Sequence, residues 1–368
     1  MASITLKGLT KSFNAGDDAP AAVADLDLDI KDNQFITLLG PSGCGKTTTL
    51  RMIAGYIVPD KGTIHVDGRQ ISAPGNVVPP DQRGMGMVFQ NYAVWPHKTV
   101  YENVVFGLKL RKLPSAQIKQ KMEETLALVN LTGLESRYPN ELSGGQQQRV
   151  ALTRSLVVEP GILLLDEPLS NLDAKLREQM RVELKRLQRR TGITFVYVTH
   201  DQAEALALSD QIAVIHGGRL QQYGTPQDVY GRPANRVVAD FMGLVNLVPG
   251  KVVAVNGSAG TVAAAGDLKI ELQVPDGTKS GDDVEVSIRP EKIRLSAAAS
   301  GSSARAKISE RTFLGNISEY YATLDSGQTL RVQTHPGQVF AVGDTVAVEI
   351  DSTQCSVFRN PATAAAHS

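Results

Sequence analysis

The sequence predicts an α/β domain built on a parallel sheet, followed by an all-β domain. In the first part, short apolar runs such as FITLLG (35–40), GILLLDEP (161–168) and ITFVYVTH (193–200) alternate with segments of helical periodicity. After about residue 236 the helical stripes stop, and short alternating segments stand between Gly, Asp and Pro. We therefore expect an α/β domain over 1–236 and a β-rich sandwich or small barrel over 237–368.

Two amphipathic helices illustrate the pattern of the first domain. In each of them apolar residues recur at helical spacing and predict a face that packs on the core. One helix is predicted to follow Ser115 as its N-cap, with Ile118, Met122, Leu126 and Val129 on its apolar face. The other is predicted to follow Asp173, with Leu176, Met180, Leu184 and Leu187.

The composition narrows the class of protein. Lys plus Arg and Asp plus Glu are both 38, and this balance argues against a polyanion such as nucleic acid as the main ligand. The two cysteines, Cys44 and Cys355, suit a reducing compartment better than a disulfide framework. No apolar run approaches the roughly 18 residues that span a bilayer. We expect a cytoplasmic protein that reaches a membrane only through a partner.

Two features of the chain leave alternatives open. The basic run KRLQRR (185–190) is either the end of a helix, where cations complement the macrodipole, or a patch for an anionic surface. The segments GDDVEVSI (281–288) and GDTVAVEI (343–350) record a duplication or are two ordinary strands after two turns. Either way, alternate apolar residues of each segment should face one side of a strand. We also expect a flexible loop at 296–306 and a frayed tail at 361–368.

The stretch GPSGCGKT (40–47) predicts a phosphate-binding loop, because it follows an apolar strand and precedes a helical segment. Its glycines allow backbone N–H groups to converge on phosphate oxygens, and the helix N-terminus adds positive potential. Lys46 supplies a charge for the β and γ phosphates, and the Thr47 hydroxyl can ligate Mg²⁺. The predicted nucleotide-binding residues of this loop are Gly40, Pro41, Ser42, Gly43, Cys44, Gly45, Lys46, Thr47 and Thr48.

Cys44 raises a separate hypothesis. A thiol near a helix N-terminus tends to have a lowered pKa, and its oxidation could block nucleotide entry. The alternative is that Cys44 is simply a small residue that fits the loop.

A second apolar run, ILLLDEP (162–168), ends in two carboxylates. Because consecutive strand residues point to opposite sides, Asp166 and Glu167 need different roles. Asp166 can face the metal through water, and Glu167 can polarise an attacking water. The sequence therefore predicts phosphoryl transfer, with metal neutralising charge and one side chain positioning the nucleophile.

Two further polar residues follow predicted strands. His200 ends the run containing VTH (198–200), at the sheet edge where ligands bind, and it could donate a hydrogen bond to the γ-phosphate. Gln90 ends GMGMVFQ (84–90) and could contact the γ-phosphate or hold the metal's water. Glu167, His200 and Gln90 are the predicted catalytic residues, and Thr47, Gln90 and Asp166 the predicted metal site.

The stretch ELSGGQQQR (141–149) stands before a predicted helix. Ser143, Gly144 and Gly145 could form an anion site from a hydroxyl, backbone N–H groups and a helix N-terminus. Such a second site implies a second phosphate or a second copy of the chain. The alternative is an N-cap serine followed by glycines in a tight turn.

Together these motifs resemble the ATP-binding subunits of ABC transporters. GPSGCGKT resembles Walker A, ILLLDEP Walker B, LSGGQQQR (142–149) the signature, and SNLD (170–173) the D-loop. Gln90 resembles the Q-loop glutamine and His200 the switch histidine. The resemblance implies that Ser143, Gly144, Gly145 and Gln146 cap ATP bound to a second copy, with Asp173 nearby. It also implies that Phe13 stacks on adenine, where the family more often has Tyr.

The same resemblance implies a helical subdomain over about 91–156. Within it, NYAVWPHKTVYENV (91–104) would help form a groove for a coupling helix of an integral membrane permease subunit. The alternative is a turn and a helix start with Trp95 simply buried.

The rest of the chain resembles importer ATPases with a C-terminal regulatory domain of oligonucleotide-binding-like strands. The matching segments are GTPQDVYGRPANRVVADFMG (224–243) and SIRPEKIRL (287–295). The run LVNLVPGKV (244–252) favours the polyamine, ferric iron or phosphonate branch over maltose-type sugar importers. A soluble ABC ATPase outside transport is the rival class. The C-terminal domain could bind an oxyanion, a metal ion or a regulatory protein.

The resemblance thus implies a homodimer that sandwiches ATP and Mg²⁺ at the cytoplasmic face of a bacterial inner membrane. Its partners would be permease subunits and, indirectly, a solute-binding protein.

Overall fold

The computed structural model describes residues 2–13, 20–265, 268–297 and 304–359. The chain divides into two compact units, Met1–Pro226 and Gln227–Ser368, so the structural division falls before the boundary placed after residue 236. Most of the predicted loop at 296–306 and the whole predicted tail at 361–368 lie outside the described residues.

The first unit is built on a six-stranded sheet that is parallel over five of its strands. The strand order is β11-β10-β3-β9-β8-β7, and only β11 runs antiparallel to its neighbour. The strands are β3 (Phe35–Leu39), β7 (Met85–Val88), β8 (Ile162–Asp166), β9 (Thr194–Thr199), β10 (Gln211–His216) and β11 (Arg219–Gly224). β3, β8 and β9 are buried at every position, which explains their continuous apolar runs. The predicted parallel sheet is therefore confirmed.

A second, antiparallel sheet packs in the same unit and was not predicted. Its order is β2-β1-β4-β5-β6. The strands are β1 (Ile4–Lys11), β2 (Val23–Ile30), β4 (Lys61–Val66), β5 (Arg69–Ala73) and β6 (Asn76–Val77). β2 buries alternate residues, Leu26, Leu28 and Ile30, against an apolar cluster that also contains residues of β3, β8 and β9. The alternation of apolar and polar residues that is typical of a strand was present in VADLDLDI (23–30).

Helices complete the first unit. They are α1 (Lys46–Ala54), α2 (Val100–Leu110), α3 (Ser115–Leu128), α4 (Gly144–Leu156), α5 (Ala174–Thr191) and α6 (Gln202–Leu208). The predicted N-cap at Ser115 is wrong: Ser115 is already the first helical residue, and Pro114 occupies the cap position without a side-chain bond. Ile118, Met122 and Leu126 are buried as predicted, and Val129 is buried just beyond the helix end.

Helix α5 begins directly after Asp173, as predicted. Asp173 caps it by accepting a hydrogen bond from the Leu176 N–H at 3.0 Å, and Gly192 ends it with φ of 64°. Met180, Leu184 and Leu187 are buried, and Leu176 is partly buried against the same cluster. The run KRLQRR is the end of this helix, with Arg189 and Arg190 in its last turn.

The second unit contains two short helices and two five-stranded antiparallel sheets. The helices are α7 (Pro226–Gly231) and α8 (Arg236–Phe241). One sheet has the order β14-β13-β12-β15-β21, with β12 (Asn246–Asn256), β13 (Ala259–Ala264), β14 (Leu268–Gln273), β15 (Asp283–Ile288) and β21 (Ser356–Arg359). The other has the order β16-β20-β17-β18-β19, with β16 (Ile293–Ala297), β17 (Arg305–Phe313), β18 (Ser318–Leu324), β19 (Thr329–Thr334) and β20 (Thr345–Ile350). Both sheets contribute to one apolar cluster.

The two Gly-Asp segments occupy equivalent places in these sheets. In each, the turn glycine donates its N–H to a carbonyl of a preceding strand, and the same strand residue donates back to the aspartate carbonyl. These pairs are Gly281 to Val252 (2.8 Å) and Val252 to Asp282 (3.0 Å), and Gly343 to Ile308 (2.8 Å) and Ile308 to Asp344 (2.9 Å). The shared bonds and strand order indicate a structural repeat rather than two ordinary turns.

The repeat exchanges its last strand. After β15, a 3-10 turn at Pro290–Lys292 leads to β16, which pairs with β20 of the other half. After β20, a 3-10 turn at Ser352–Gln354 leads to β21, which pairs with β15 of the first half. Each half is therefore completed by a strand that follows the other half in the chain.

Candidate nucleotide-binding site

Four neighbouring strands of the parallel sheet carry the predicted site residues at one edge. In the order β3-β9-β8-β7, the strands end next to Gly40, His200, Asp166 with Glu167, and Gln90. Because the carboxyl ends of parallel strands meet at one edge of a sheet, the topology brings these residues into one cleft.

The loop between β3 and α1 has the backbone geometry of an anion cradle. Gly43 and Gly45 have φ of 79° and 103°, a region that side chains disfavour. A Cβ on Gly40 would lie 2.1 Å from the Ile215 carbonyl oxygen, and one on Gly45 would lie 2.2 Å from the Ala22 carbonyl oxygen. Glycine is therefore required at Gly40 by close packing and at Gly45 by both packing and backbone shape.

Lys46 lies at the base of this loop. Its Nζ donates to the carbonyls of Gly40 at 2.7 Å and Pro41 at 2.8 Å, and the residue is only 5% exposed. Ser42 and Gly43 lie exposed at the loop's outer side, and Thr48 is half-buried in the first turn of α1. The ammonium group is thus held beside the backbone that would receive phosphate oxygens.

Thr47 and Asp166 are in direct contact. The Thr47 hydroxyl donates to Asp166 Oδ1 at 2.9 Å, and an Arg51 guanidinium nitrogen lies 3.6 Å from Asp166 Oδ2. Burial raises the pKa of the Asp166 carboxyl, and the Thr47 hydroxyl and the Arg51 charge oppose that rise. The pair presents a hydroxyl and a carboxylate, both oxygen ligands that Mg²⁺ accepts.

Glu167 is not part of the strand that precedes it. β8 ends at Asp166, and Glu167 has φ of 44°, so its direction comes from a left-handed backbone rather than from strand alternation. Its N–H donates to the Val198 carbonyl at 3.0 Å, which fixes this conformation against β9. Glu167 Oε2 lies 3.1 Å from His200 Nδ1, so two of the predicted catalytic residues touch.

The contact with Glu167 occupies the Nδ1 side of the His200 ring. It leaves Nε2 as the ring nitrogen that can face a bound ligand.

Gln90 lies two residues beyond the end of β7 and is exposed. Its side-chain Nε2 is 3.5 Å from the Ser170 hydroxyl, and its backbone carbonyl accepts a hydrogen bond from Asn171 Nδ2 at 3.0 Å. Ser170 in turn donates to the Glu167 carbonyl at 2.9 Å. Ser170 and Asn171 were not among the predicted site residues, although the small polar residues of SNLD were the available signal.

Ser143 is the N-cap of α4. Its Oγ accepts from the Gln146 N–H at 3.4 Å, and Gln146 Oε1 accepts from the Ser143 N–H at 2.8 Å, forming a capping box. Gly144 is exposed, whereas Gly145 is buried and its Cβ position lies 3.0 Å from the Leu176 side chain. The N-cap interpretation is therefore observed, and it leaves a helix N-terminus exposed at a 13-residue helix.

Phe13 has an exposed ring. The side chain is 63% accessible, and Lys11 Nζ lies 5.7 Å from the ring centroid. A free aromatic face of this kind can stack on a planar base.

The pKa expectation for Cys44 is wrong. The residue is 4% exposed, and burial raises the pKa of its thiol despite the Lys46 charge, which acts in the opposite direction. A Cβ on Gly40 would lie 2.6 Å from the Cys44 sulfur, so the thiol fills the space under the loop. Desolvation outweighs the helix N-terminus here.

Comparisons with known proteins agree with this geometry. A family model described as ABC transporter matches residues 23–170, and one described as TOBE domain matches residues 286–358. Three relatives match 88–96% of the chain at 44–48% identity. The chain belongs to the ATP-binding proteins of ABC transporters, and it is an ATPase with a C-terminal oligonucleotide-binding-like domain.

Two relatives are close in length as well. The spermidine/putrescine import ATP-binding protein PotA of Rubrobacter xylanophilus is 47% identical over 96% of this chain and 93% of its own length. The spermidine/putrescine import ATP-binding protein PotA 1 of Pseudomonas aeruginosa is 44% identical, over 96% of this chain and 96% of its own length.

Two solved structures each match 61% of this chain. A dimeric ATP-binding cassette in a post-hydrolysis state bound to ADP and Pi has a TM-score of 0.53 and 30% identity, over 61% of this chain and 98% of that one. The protein cbiO1 from Clostridium perfringens, part of the ABC transporter complex cbiONQ, has a TM-score of 0.55 and 28% identity, over 61% of this chain and 89% of that one. None of the helices in the described ranges combines the length and apolarity needed to cross a bilayer.

Proposed function

We propose that this protein is the ATP-hydrolysing subunit of a polyamine importer and drives uptake of spermidine or putrescine. The observation that carries the proposal is 47% identity over 96% of the chain to a spermidine/putrescine import ATP-binding protein. In this proposal the residues brought together in the cleft described above would bind and hydrolyse ATP. The solute itself would be selected by other chains of the importer.

The predicted roles follow from the contacts in the cleft. The loop Gly40–Thr48 would bind the phosphates, with Lys46 neutralising charge on the β and γ groups. Thr47, Asp166 and Gln90 would hold Mg²⁺, which supplies charge neutralisation on the phosphates. Glu167 would orient and polarise the attacking water, since its carboxylate is fixed by its own backbone and by His200. His200 would face the γ-phosphate with Nε2 and donate a hydrogen bond to it.

A second copy of the chain would complete the site. Ser143, Gly144, Gly145 and Gln146 stand at the exposed N-terminus of α4, where backbone N–H groups favour an anion. We propose that this end of α4 caps ATP bound to the partner, with Asp173 beside it and Phe13 stacking on adenine in its own subunit. The dimeric cassette with ADP and Pi supports this arrangement.

The segment 91–104 would face an integral membrane permease subunit. Trp95 is half-buried: its ring lies 4.7 Å from the Phe106 ring, and Arg154 lies 4.6 Å from its centroid. Asn103 is fully buried and bonds to the Trp95 N–H and carbonyl, so it ties the backbone at Trp95 to α2. Phe106 and Leu110 remain exposed on α2.

In this assembly the protein would be peripheral, at the cytoplasmic face of a bacterial inner membrane. A solute-binding protein would act on the other side. We place the ATP-binding domain at 1–236, its helical subdomain at about 91–156 and the regulatory domain at 237–368.

The proposal is tested with the transporter reassembled from this chain, its permease subunits and its solute-binding protein. ATP hydrolysis is measured with spermidine, putrescine, ferric ion, a phosphonate and maltose. Stimulation by the polyamines alone is expected. Stimulation by another solute would refute the polyamine assignment, and hydrolysis that ignores both permease and solute would refute the importer.

A further inference from the structure

Arg177 joins two segments of the cleft that are distant in sequence. It lies in the first turn of α5, and its guanidinium Nη2 donates to the Leu172 carbonyl at 3.1 Å. Its Nη1 lies 3.6 Å from Asp201 Oδ2, and its Nε lies 3.8 Å from Glu204 Oε1. One planar group thus connects the segment before Asp173 with the segment after His200.

Glu204 gives this connection a rigid base. The residue is 3% exposed, and its Oε2 accepts from the Tyr197 hydroxyl and the Thr199 hydroxyl, both at 2.7 Å. Its other oxygen faces Arg177. The charged or titratable groups around it are Arg177 from α5, Tyr197 from β9 and Asp201 from the loop. A buried carboxylate needs a positive partner, and Arg177 is the cation that lies against it.

The backbone on both sides of His200 is held by the same cluster. The Thr199 hydroxyl accepts from the Asp201 N–H at 3.0 Å, and the Asp201 carboxylate accepts from the Glu204 N–H at 3.0 Å. On the opposite side, Asn171 Nδ2 donates to the Gln90 carbonyl. The segment Ser170–Asp173 is therefore held between the residues next to Gln90 and the residues next to His200.

We propose that Arg177 is a positioning residue that locks Ser170–Asp173 and the His200 loop into a single geometry. In this geometry His200 stays against Glu167 while Asp173 keeps its place at the start of α5. Arg177 acts through these segments. The inference rests on the proposed ATPase roles of His200 and Glu167, but not on which solute is carried.

The first test is steady-state ATP hydrolysis by the assembled transporter carrying Arg177→Met. Because Arg177 is assigned no contact with the nucleotide, we expect kcat to fall about tenfold or more, equivalent to ~1.4 kcal/mol in the barrier, with KM for ATP within about twofold. Arg186→Gln is the matched control, since Arg186 is exposed further along the same helix. A kcat of Arg177→Met equal to that of Arg186→Gln would overturn the proposal.

A second variant separates positioning from charge compensation. Arg177→Met leaves Glu204 buried without its cation, so the chain is expected to lose thermal stability. In Arg177→Met with Glu204→Gln, the amide oxygen can still accept from Tyr197 and Thr199. We expect this double variant to recover its Tm but not its kcat, because the tie between Leu172 and Asp201 is still missing. Recovery of kcat together with Tm would mean that Arg177 only compensates a charge.

The outcome does not depend on the solute. If wild-type hydrolysis responds to a solute other than a polyamine, the polyamine assignment fails while the comparison of kcat values remains valid. If Glu167→Gln hydrolyses ATP as fast as wild type, the proposed cleft chemistry fails instead.

Discussion

Replacing Gly40 by alanine is expected to displace the phosphate-binding loop by roughly 1 Å, because the added methyl group overlaps neighbouring atoms. The new Cβ would lie 2.1 Å from the Ile215 carbonyl oxygen and 2.6 Å from the Cys44 sulfur. Relief therefore needs a shift of roughly 1 Å, because a carbonyl oxygen and a methyl carbon do not approach much below about 3 Å. The clash involves backbone of β10, so a side-chain rotation cannot relieve it.

Gly43→Ala is the matched control within the same loop. Gly43 has φ of 79° and no heavy atom within 4 Å of its Cβ position, so the alanine meets strain but no clash. A left-handed residue costs about 1–2 kcal/mol, and overpacking costs about 1–3 kcal/mol or more. At about 2–4 °C per kcal/mol, we expect Gly43→Ala to lower the Tm by roughly 2–8 °C, with Gly40→Ala at or beyond the upper end of that range.

The assay is thermal unfolding of the full chain with and without ATP. Gly40→Ala should also lose most of the Tm increase caused by ATP, because a 1 Å misplacement of a binding loop weakens its contacts. Cys44→Ala in the same chain should not rescue it, since the Ile215 carbonyl remains. A Tm for Gly40→Ala above that of Gly43→Ala, or full rescue by Cys44→Ala, would refute the argument.

Four further outcomes follow from the contacts. Glu167→Gln should leave ATP affinity within about threefold and lower kcat by roughly 10² or more; unchanged kcat would contradict the role of Glu167. Lys46→Ala should weaken ATP binding measured by calorimetry, and normal affinity would contradict its role. Because burial raises its pKa, the Cys44 thiol should react slowly with iodoacetamide at pH 7 and faster as the pH rises; inhibition by peroxide in wild type but not in Cys44→Ala would revive the redox hypothesis. Arg289 donates to the Gly243 and Leu244 carbonyls from a 3% exposed position, so Arg289→Met should lower the Tm of the second unit, with the exposed Arg294→Met as control.

The parallel sheet and its binding edge could be predicted because each strand is a local signal. β3, β8 and β9 are fully buried, so their apolar runs stand out, and the phosphate-binding loop, Glu167 and His200 follow them where the strands end. The phosphate-binding loop was equally readable, since its glycines, Lys46 and Thr47 stand together in one short stretch directly after an apolar run.

Features that depend on long-range packing could not be predicted in the same way. The upward shift of the Cys44 pKa depends on burial that only the folded loop creates. The left-handed backbone of Glu167 depends on its hydrogen bond to the Val198 carbonyl, which is distant in sequence. Strand alternation was therefore the wrong reason for the direction of the Glu167 side chain. The contacts of Arg177 join Leu172, Asp201 and Glu204, and nothing in the local sequence pairs these residues.

The exchanged strands of the second unit bear on how the chain folds as it leaves the ribosome. The sheet that begins with β12 receives its last strand, Ser356–Arg359, about a hundred residues after its first, Asn246–Asn256. That sheet cannot complete its hydrogen-bond ladder until residues 293–350, which form the other sheet, have been synthesised. The nucleotide-binding unit precedes both sheets in the chain and can fold first, so we expect the second unit to close only when β21 becomes available.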